Sequence, residues 1–192
     1  MTFCKNIFIF LFFLLITSCN NNKKLPAPAD TVALLQQMQE LATVEYTITK
    51  VVKASDDKTW FKIGSRKILI TCEATVKAGI DLKSLKEEDI SVSGKTITIQ
   101  LPEPKILSVN MPPENIKVAY QKVDLFRDAF TSGERNALLV QAEQQIKNAG
   151  TELGAIEQAK VNSQLVLSRF LMQLGFEKVN LTYNKASHNG RQ

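Results

Sequence analysis

The apolar positions divide the chain into regions of different spacing. Residues 7–16 form an unbroken apolar run, and a short stretch of helical spacing follows around residue 35. Between residues 44 and 123 several short segments alternate apolar with polar positions, which is typical of half-buried strands. Helical spacing returns twice after residue 131, before one last alternating segment. This order predicts an α+β fold, in which an antiparallel β-sheet of about five to seven strands packs with two C-terminal α-helices and a closing C-terminal strand.

The expected strands are bounded by turn residues. The first alternates at Val44, Tyr46 and Ile48, with Lys50 continuing the pattern, and the strongest covers residues 67–77, which are rich in β-branched side chains. Ser93-Gly94-Lys95 is expected to turn the clearest hairpin of the chain. Its strands are residues 90–92 and 96–101. The other strand candidates are residues 60–63, which would pair back across a turn, then 106–109, 116–123 and 176–183.

Three helices are expected. Asp30 is a plausible N-cap for a short helix. Thr131 and Glu134 have capping-box spacing, and the helix that they start would reach Ala149 and stop at Gly150. The third helix would run from about residue 152 to residue 174 and end at Gly175. Its apolar stripe would pack on the protein's own sheet or, alternatively, serve a partner helix. The stripe consists of Ile156, Ala159, Ser163, Val166, Leu167, Phe170, Leu171 and Leu174.

The N-terminal region has the composition of a secretory signal. Lys5 precedes the apolar run, which would rise about 15 Å as a helix, half the thickness of a bilayer core. Ile16-Thr17-Ser18-Cys19 resembles the lipobox of bacterial lipoproteins. By that resemblance Cys19 would receive a diacylglyceryl group, carrying acyl chains such as palmitate, and would become the mature N-terminus. The alternative is a plain signal peptide in which this cysteine is incidental.

These features divide the chain into four segments. They are a lipoprotein signal peptide (1–18), a flexible tether (19–30), a single α+β domain (31–183) and a polar tail (184–192).

A lipid anchor would place the domain outside the cytoplasm, at the cell membrane or the outer membrane. Multiple acyl chains anchor a protein stably. The residue after Cys19 is Asn20 rather than an Asp, so we prefer the outer membrane. The formal net charge of +5 is mild and spread along the chain, so we expect no nucleic-acid partner.

Two other residues are candidates for a core or a site. Cys4 leaves with the signal and Cys19 is lipidated, so Cys72 is the one thiol left. It lies in an alternating strand, where a lone cysteine acts as a small hydrophobe. Trp60 is expected in the core, although with Phe61 it could also form a ligand platform.

Residues for catalysis are scarce. Zinc sites and nucleophilic triads need imidazole or thiolate groups, and the one histidine, His188, lies in the polar tail. No Gly-rich phosphate loop follows a strand. Glu87-Glu88-Asp89 could bind Ca²⁺ or supply an acid pair, but with Lys83 and Lys86 it is better explained as a solvated turn. We therefore expect no catalytic residue, metal, bound cofactor or enzymatic activity.

Four segments of the chain carry a family resemblance. They are Leu41–Tyr46, Ala74–Leu82, Thr96–Pro104 and Leu171–Phe176, with Ala-Gly-Ile-Asp-Leu and Leu-Pro-Glu-Pro as the most specific elements. In this order they resemble the bacterial envelope family known as domain of unknown function 4230, over about residues 35–183. The resemblance implies an envelope setting and an α+β fold, and it brings no activity, cofactor or site residue. The layout is also similar to Band 7 (stomatin/prohibitin-like) domains, which assemble into membrane-bound oligomers.

The preferred hypothesis is a non-catalytic, lipid-anchored envelope protein that works by binding or assembly. Its partners would be the membrane, through the N-terminal anchor, and a second copy or another envelope protein. The first alternative is a periplasmic carrier of a small apolar or lipid ligand, which would need a sizeable apolar cavity. The second is a hydrolase built on carboxylates, which would need a buried acid pair with one raised pKa.

Overall fold

A computed structural model describes residues 25–56 and 63–184. Its strands are β1 (Glu40–Asp56), β2 (Arg66–Asp81), β3 (Ile90–Ser93), β4 (Thr96–Leu101), β5 (Lys105–Asn110), β6 (Ile116–Val123) and β7 (Lys178–Tyr183). Its α-helices are α1 (Pro28–Gln37), α2 (Ser132–Glu152) and α3 (Ala155–Gln173), and short 3₁₀ turns cover Leu82–Ser84, Glu87–Asp89 and Pro113–Asn115.

A long antiparallel hairpin of β1 and β2 is the frame of the molecule. Sixteen residue pairs join the two strands, from Glu40 opposite Asp81 to Asp56 opposite Arg66. At about 3.4 Å per residue the hairpin is roughly 50 Å long. We call the Glu40–Asp81 end the root and the Asp56–Arg66 end the tip. Even-numbered side chains of both strands face the helices and are mostly buried, while odd-numbered ones face the other side.

The seven strands form two sheets. In the first, β5 and β6 both pair antiparallel with the free edge of β2, β5 towards the root and β6 towards the tip. In the second, β3 and β4 form the predicted hairpin and β7 pairs parallel with β4. The α+β class, the strand number, the two C-terminal helices and the closing strand are confirmed. The division into two sheets and the one parallel pair were not predicted.

Helices α2 and α3 cover one face of the hairpin in succession. Helix α2 packs over the tip half, around Ile68, Val52 and Ile146, and α3 packs over the root and the second sheet, around Leu167, Ile80 and Ile97. Helix packing against a strand face of this kind buries the apolar stripes that neither element could bury alone. The predicted core stripe of α3 is confirmed for Ala159, Ser163, Leu167 and Leu171, whereas Val166 is exposed.

A β-bulge at the root attaches α3 to β1. The register shifts between Ala42 and Val44, which leaves Thr43 outside the ladder. Its hydroxyl lies 3.1 Å from the Ser163 hydroxyl and donates to the Ala159 carbonyl at 3.3 Å, while the Asn162 amide donates to the Thr43 carbonyl at 3.0 Å. Helix α3 thus supplies the hydrogen-bond partners that Thr43 lacks in the ladder.

The described residues include 25–30, part of the segment expected to be a flexible tether. Leu25 packs against the root core, and α1 starts at Pro28. The prediction of Asp30 as N-cap is wrong, because Asp30 is the third residue of the helix and its carboxylate accepts from the Ala27 amide at 3.3 Å. The segment expected to be a signal peptide and residues 185–192 of the expected polar tail lie outside the described residues, as do Cys19, Trp60, Phe61 and His188. Within the described ranges no helix is long and apolar enough to cross a membrane.

The glycines expected to end α2 and α3 behave differently. Gly175 follows α3 with a φ of 109°, as predicted. Gly150 does not end α2; it is buried inside the helix, where an added Cβ would lie 3.0 Å from Val76. The turn between the helices instead uses Gly154, with a φ of 79°. A glycine in a helix costs stability, and here it permits close packing on the sheet.

Replacement of Gly79 by alanine tests the tightest backbone approach in the hairpin. An added Cβ there would lie 1.9 Å from the Leu41 carbonyl oxygen, so the two strands would have to separate. We expect Gly79→Ala to lower the free energy of unfolding by about 1–3 kcal/mol, measured by chemical denaturation. Gly133→Ala is the matched control, because its Cβ would meet nothing closer than 3.9 Å. Equal stability of the two variants would contradict the close approach.

Candidate functional site

A group of charged side chains closes the tip of the hairpin. Arg66 donates to both carboxylate oxygens of Glu134, at 3.2 and 2.5 Å, and its Nε donates to Asp56 at 3.4 Å. Arg127 pairs with the same Asp56 oxygen. The Arg66 guanidinium also lies 4.5 Å from the centre of the Phe130 ring, within cation–π range. These contacts, which we call the tip clamp, join both strands of the hairpin to the start of α2.

Glu134 is the shared member of the clamp and of the helix cap. Its carboxylate accepts from the Thr131 amide at 2.7 Å, while the Thr131 hydroxyl accepts from the Glu134 amide at 3.2 Å. This is the predicted capping box, which is confirmed. The Arg66 hydrogen bonds, and then those from Thr131, lower the pKa of Glu134 to about 2. The Glu134 side chain therefore stays ionised well below the pH at which a free glutamate becomes protonated.

A second set of bonds joins the loop after β6 to the loop before β2. The Asp124 carboxylate accepts from the Ser65 amide at 2.9 Å and from its hydroxyl at 2.8 Å, and these bonds lower the pKa of Asp124. The Asp124 amide donates back to the Ser65 carbonyl at 3.0 Å. Gly64, with a φ of 95°, lies directly against this loop: an added Cβ would be 3.0 Å from the Leu125 carbonyl oxygen. The two loops are thus held together by their backbones.

Three large apolar side chains project from this held pair of loops. Leu125 is 85% exposed, Phe126 is 87% exposed and Ile63 is 70% exposed, and no other large apolar side chain in the described ranges is as exposed. Phe126 has a φ of 72°, a left-handed conformation that costs a non-glycine residue roughly 1–2 kcal/mol. We call these three residues the apolar prong. Folding stability alone favours neither the exposure nor the strain, so the prong is the best candidate for a binding element.

Lysines surround an aromatic ring on the uncovered sheet face next to the prong. Lys53 pairs with Leu69 across the ladder, and Leu69 pairs with Tyr120, so these side chains share the face opposite the helices. Lys67 lies directly opposite Lys122 on the same face. A cavity of about 220 Å³ opens here, and its lining includes both Lys53 and Lys67. We call this group the lysine face.

Helix α3 offers a second unpartnered surface. Val161, Leu165 and Met172 are at least half exposed and lie on the side of the helix opposite its buried stripe. Their spacing of four and seven residues matches consecutive a and d positions of a heptad, with Ser168 at the place between. We call this row the outer seam of α3. It has the spacing with which one helix packs along another.

The candidate residues singled out in the sequence do not come together in the structure. Cys72 is fully buried in β2, and burial raises the pKa of its thiol, so it is a packing residue. Glu87-Glu88-Asp89 is a solvated 3₁₀ turn in which Lys86 pairs with Glu88, as expected. Within the described ranges no three His, Cys, Asp or Glu side chains are placed to hold a metal ion. Neither the prong nor the lysine face was identified from the sequence, although a Leu-Phe pair between charged residues was visible there.

The tip clamp predicts a specific dependence of stability on pH. Because the folded-state pKa of Glu134 is depressed from 4.5 to about 2, its contribution is complete above pH 4.5 and is lost as the pH falls towards 2. We expect Glu134→Gln to be less stable than the wild type at neutral pH and to lose less on acidification through that window. Thermal unfolding at a series of pH values measures this. Parallel curves for the two proteins would mean that the clamp contributes nothing to stability.

Comparison with known proteins identifies one match. The model of the family described as protein of unknown function (DUF4230) matches residues 34–181. No curated protein matches the chain. No solved structure matches it either.

Proposed function

We propose that this chain, which belongs to the family described as protein of unknown function (DUF4230), is a lipid-anchored protein of the cell envelope that works by docking rather than by catalysis. In this proposal Cys19 carries the lipid and the domain lies outside the cytoplasm, with the outer membrane preferred. The apolar prong makes the contact on which the function depends.

The single observation that carries the proposal is the prong itself. Leu125 and Phe126 are almost fully exposed, yet the loop that bears them is fastened at both sides, by Ser65–Asp124 and by Arg127–Asp56. A loop that is ordered before binding loses less conformational entropy when it meets a partner. Exposed apolar side chains on an ordered support are therefore the arrangement expected of a binding element.

The placement of the two ends supports an anchored protein. Leu25, the first described residue, packs at the root. The prong lies at the tip, roughly 50 Å away along β1 and β2. Only residues 20–24 separate Leu25 from Cys19, so the two residues lie at most about 22 Å apart when the segment is extended. Anchoring at Cys19 would hold the root near the membrane. The tip could then contact a partner away from that membrane, or tilt back towards the same membrane.

The carboxylates with shifted pKa values, Glu134 and Asp124 at the tip and Asp81 at the root, support a non-catalytic role. A carboxylate-based hydrolase needs a general acid with a raised pKa, whereas Glu134, Asp124 and Asp81 all have lowered pKa values because of hydrogen bonds to their charged forms. The carrier alternative needs a large apolar cavity between sheet and helices. In the described residues that space holds the packed side chains of three core clusters.

Self-assembly is a second candidate function, favoured by the outer seam of α3. Val161, Leu165 and Met172 would pair best with an identical seam, since two copies present the same spacing. The similarity of layout to Band 7 domains stays a prediction, and it points in the same direction.

The lipid anchor is tested by the mass of the mature N-terminus. Intact-mass and peptide analysis of protein from native membranes is expected to show a chain that begins at Cys19 and carries acyl groups. Cys19→Ala should leave the precursor uncleaved and unacylated. A wild-type chain that starts elsewhere with an unmodified cysteine would rule out the anchor.

Docking is tested by a photo-crosslinking amino acid placed at position 126 in living cells. We expect an adduct on irradiation, because a docked prong would contact its partner directly. The same amino acid at Gln144, exposed on the outward side of α2, is the matched control and should give none. Equal amounts of adduct at positions 126 and 144 would contradict the docking proposal.

The same photo-crosslinking amino acid at Leu165 tests self-assembly. A covalent dimer of this chain is expected, and its absence would rule out that candidate.

A further inference from the structure

We propose that the hairpin tip binds an anionic lipid surface, with the apolar prong entering the bilayer interface and Lys53 and Lys67 holding a lipid phosphate in the cavity beside it. This inference rests on the proposed docking function and names its partner by chemistry.

Two lysines lie directly opposite each other in the sheet, an arrangement that strand pairing does not favour. Lys67 and Lys122 are directly opposite each other, where like charges destabilise strand pairing. Lys122 has Asp124 3.4 Å away. Within the described residues no carboxylate lies within ion-pair distance of Lys53 or Lys67. Positive charge without a carboxylate partner among the described residues therefore lies on one face at the tip. An anion placed between the ammonium groups of Lys53 and Lys67 would reduce the repulsion between them.

The cavity offers donors for a phosphate beside apolar residues. Its lining consists of Lys53, Ser55, Lys67 and Tyr120 together with Ala54, Ile68 and Leu69. Ammonium and hydroxyl groups are donors that phosphate oxygens accept from. Tyr120 is about half exposed, and a tyrosine ring with its hydroxyl suits the boundary between headgroups and acyl chains.

The pairing of this cavity with the prong favours a lipid surface over a protein groove. Leu125 and Phe126 lie in the loop that follows β6, and Lys122, near the end of β6, is opposite Lys67, so apolar side chains and lysines are presented close to each other. The guanidinium groups of Arg66 and Arg127 are occupied within the tip clamp and do not contribute free charge. Apolar side chains beside Lys53 and Lys67, which have no ion-pair partner among the described residues, match the two layers of an anionic membrane surface, where acyl chains lie under phosphate.

The test uses the full-length protein with its acylated Cys19, inserted into vesicles by its own anchor. An environment-sensitive fluorophore is attached through Leu125→Cys. The label reacts at this cysteine because Cys72 is buried and the proposal has Cys19 acylated. In one series the nitroxide-bearing lipids are in the host vesicles, which carry the anchored protein. In the other series they are in a second population of vesicles that is added afterwards. Each series compares phosphatidylcholine alone with phosphatidylcholine plus phosphatidylglycerol. The same label at Gln144→Cys is the positional control.

We expect nitroxide quenching of the label at position 125 from one of the two membranes, only when that membrane contains phosphatidylglycerol, and none at position 144. Lys53→Gln and Lys67→Gln should each lower the ratio of quenched to unquenched label by about fivefold. Lys147→Gln, which removes the same charge from the helical side, should leave it unchanged.

Three results would overturn the inference: no quenching from either membrane, quenching that is equal without phosphatidylglycerol, or equal effects of Lys67→Gln and Lys147→Gln. Failure of this inference is separable from failure of the proposed function. A protein adduct at position 126 in cells, together with no quenching in vesicles, would keep docking and replace the lipid by a protein partner. No adduct and no quenching would remove both.

Discussion

The sixteen-pair ladder between β1 and β2 is the constraint on which the rest of the structure depends. Both C-terminal helices, β5 and β6 are attached to it directly, and the second sheet shares one core cluster with α1, α3 and the root. The side chains of a strand alternate strictly, so one register places Ile48, Val52, Ile68 and Cys72 under the helices and places the lysines on the opposite face. A shift of one residue would exchange the two faces and remove both the core and the lysine face.

The two ends of the hairpin are stabilised by different forces. The root is held by apolar burial, with Leu82, Ile97 and Leu167 fully inside. At the tip, hydrogen bonds among charged groups add to the apolar burial of Val52 and Ile68, and most of these charged side chains stay partly in contact with water. Polar bonds of this kind contribute less free energy, but they fix directions well. This explains how a loop can be ordered while its largest side chains remain exposed.

Sequence reasoning succeeded where local pattern decides the structure. Alternation located β1 and β2, the Ser93-Gly94-Lys95 turn located the β3–β4 hairpin, and capping-box spacing located the start of α2. It failed where distant packing decides: Gly150 looks like a helix stop, yet it lies inside α2, at a position where Val76 leaves little room for a side chain. The parallel pairing of β7 with β4 likewise joins strands far apart in the chain.

The candidate site was hidden for the same reason. Lys67 and Lys122 are 55 positions apart, and only the ladder register places them opposite each other. Leu125 and Phe126 belong to a short connection without periodicity, and nothing in its residues reveals whether they are buried. Their exposure follows from how Ser65, Asp124 and Arg127 fasten the loop.

The prong lies at the end of the hairpin opposite Leu25, on a loop that is fastened at both sides. Pulsed electron paramagnetic resonance between spin labels at Lys83→Cys, at the root, and Leu125→Cys, at the tip, measures in the full-length protein whether the prong is held rigidly. A rigid hairpin gives one narrow distance distribution centred at about 50 Å. A broad distribution, or a mean far below that length, would contradict a preorganised tip remote from the root.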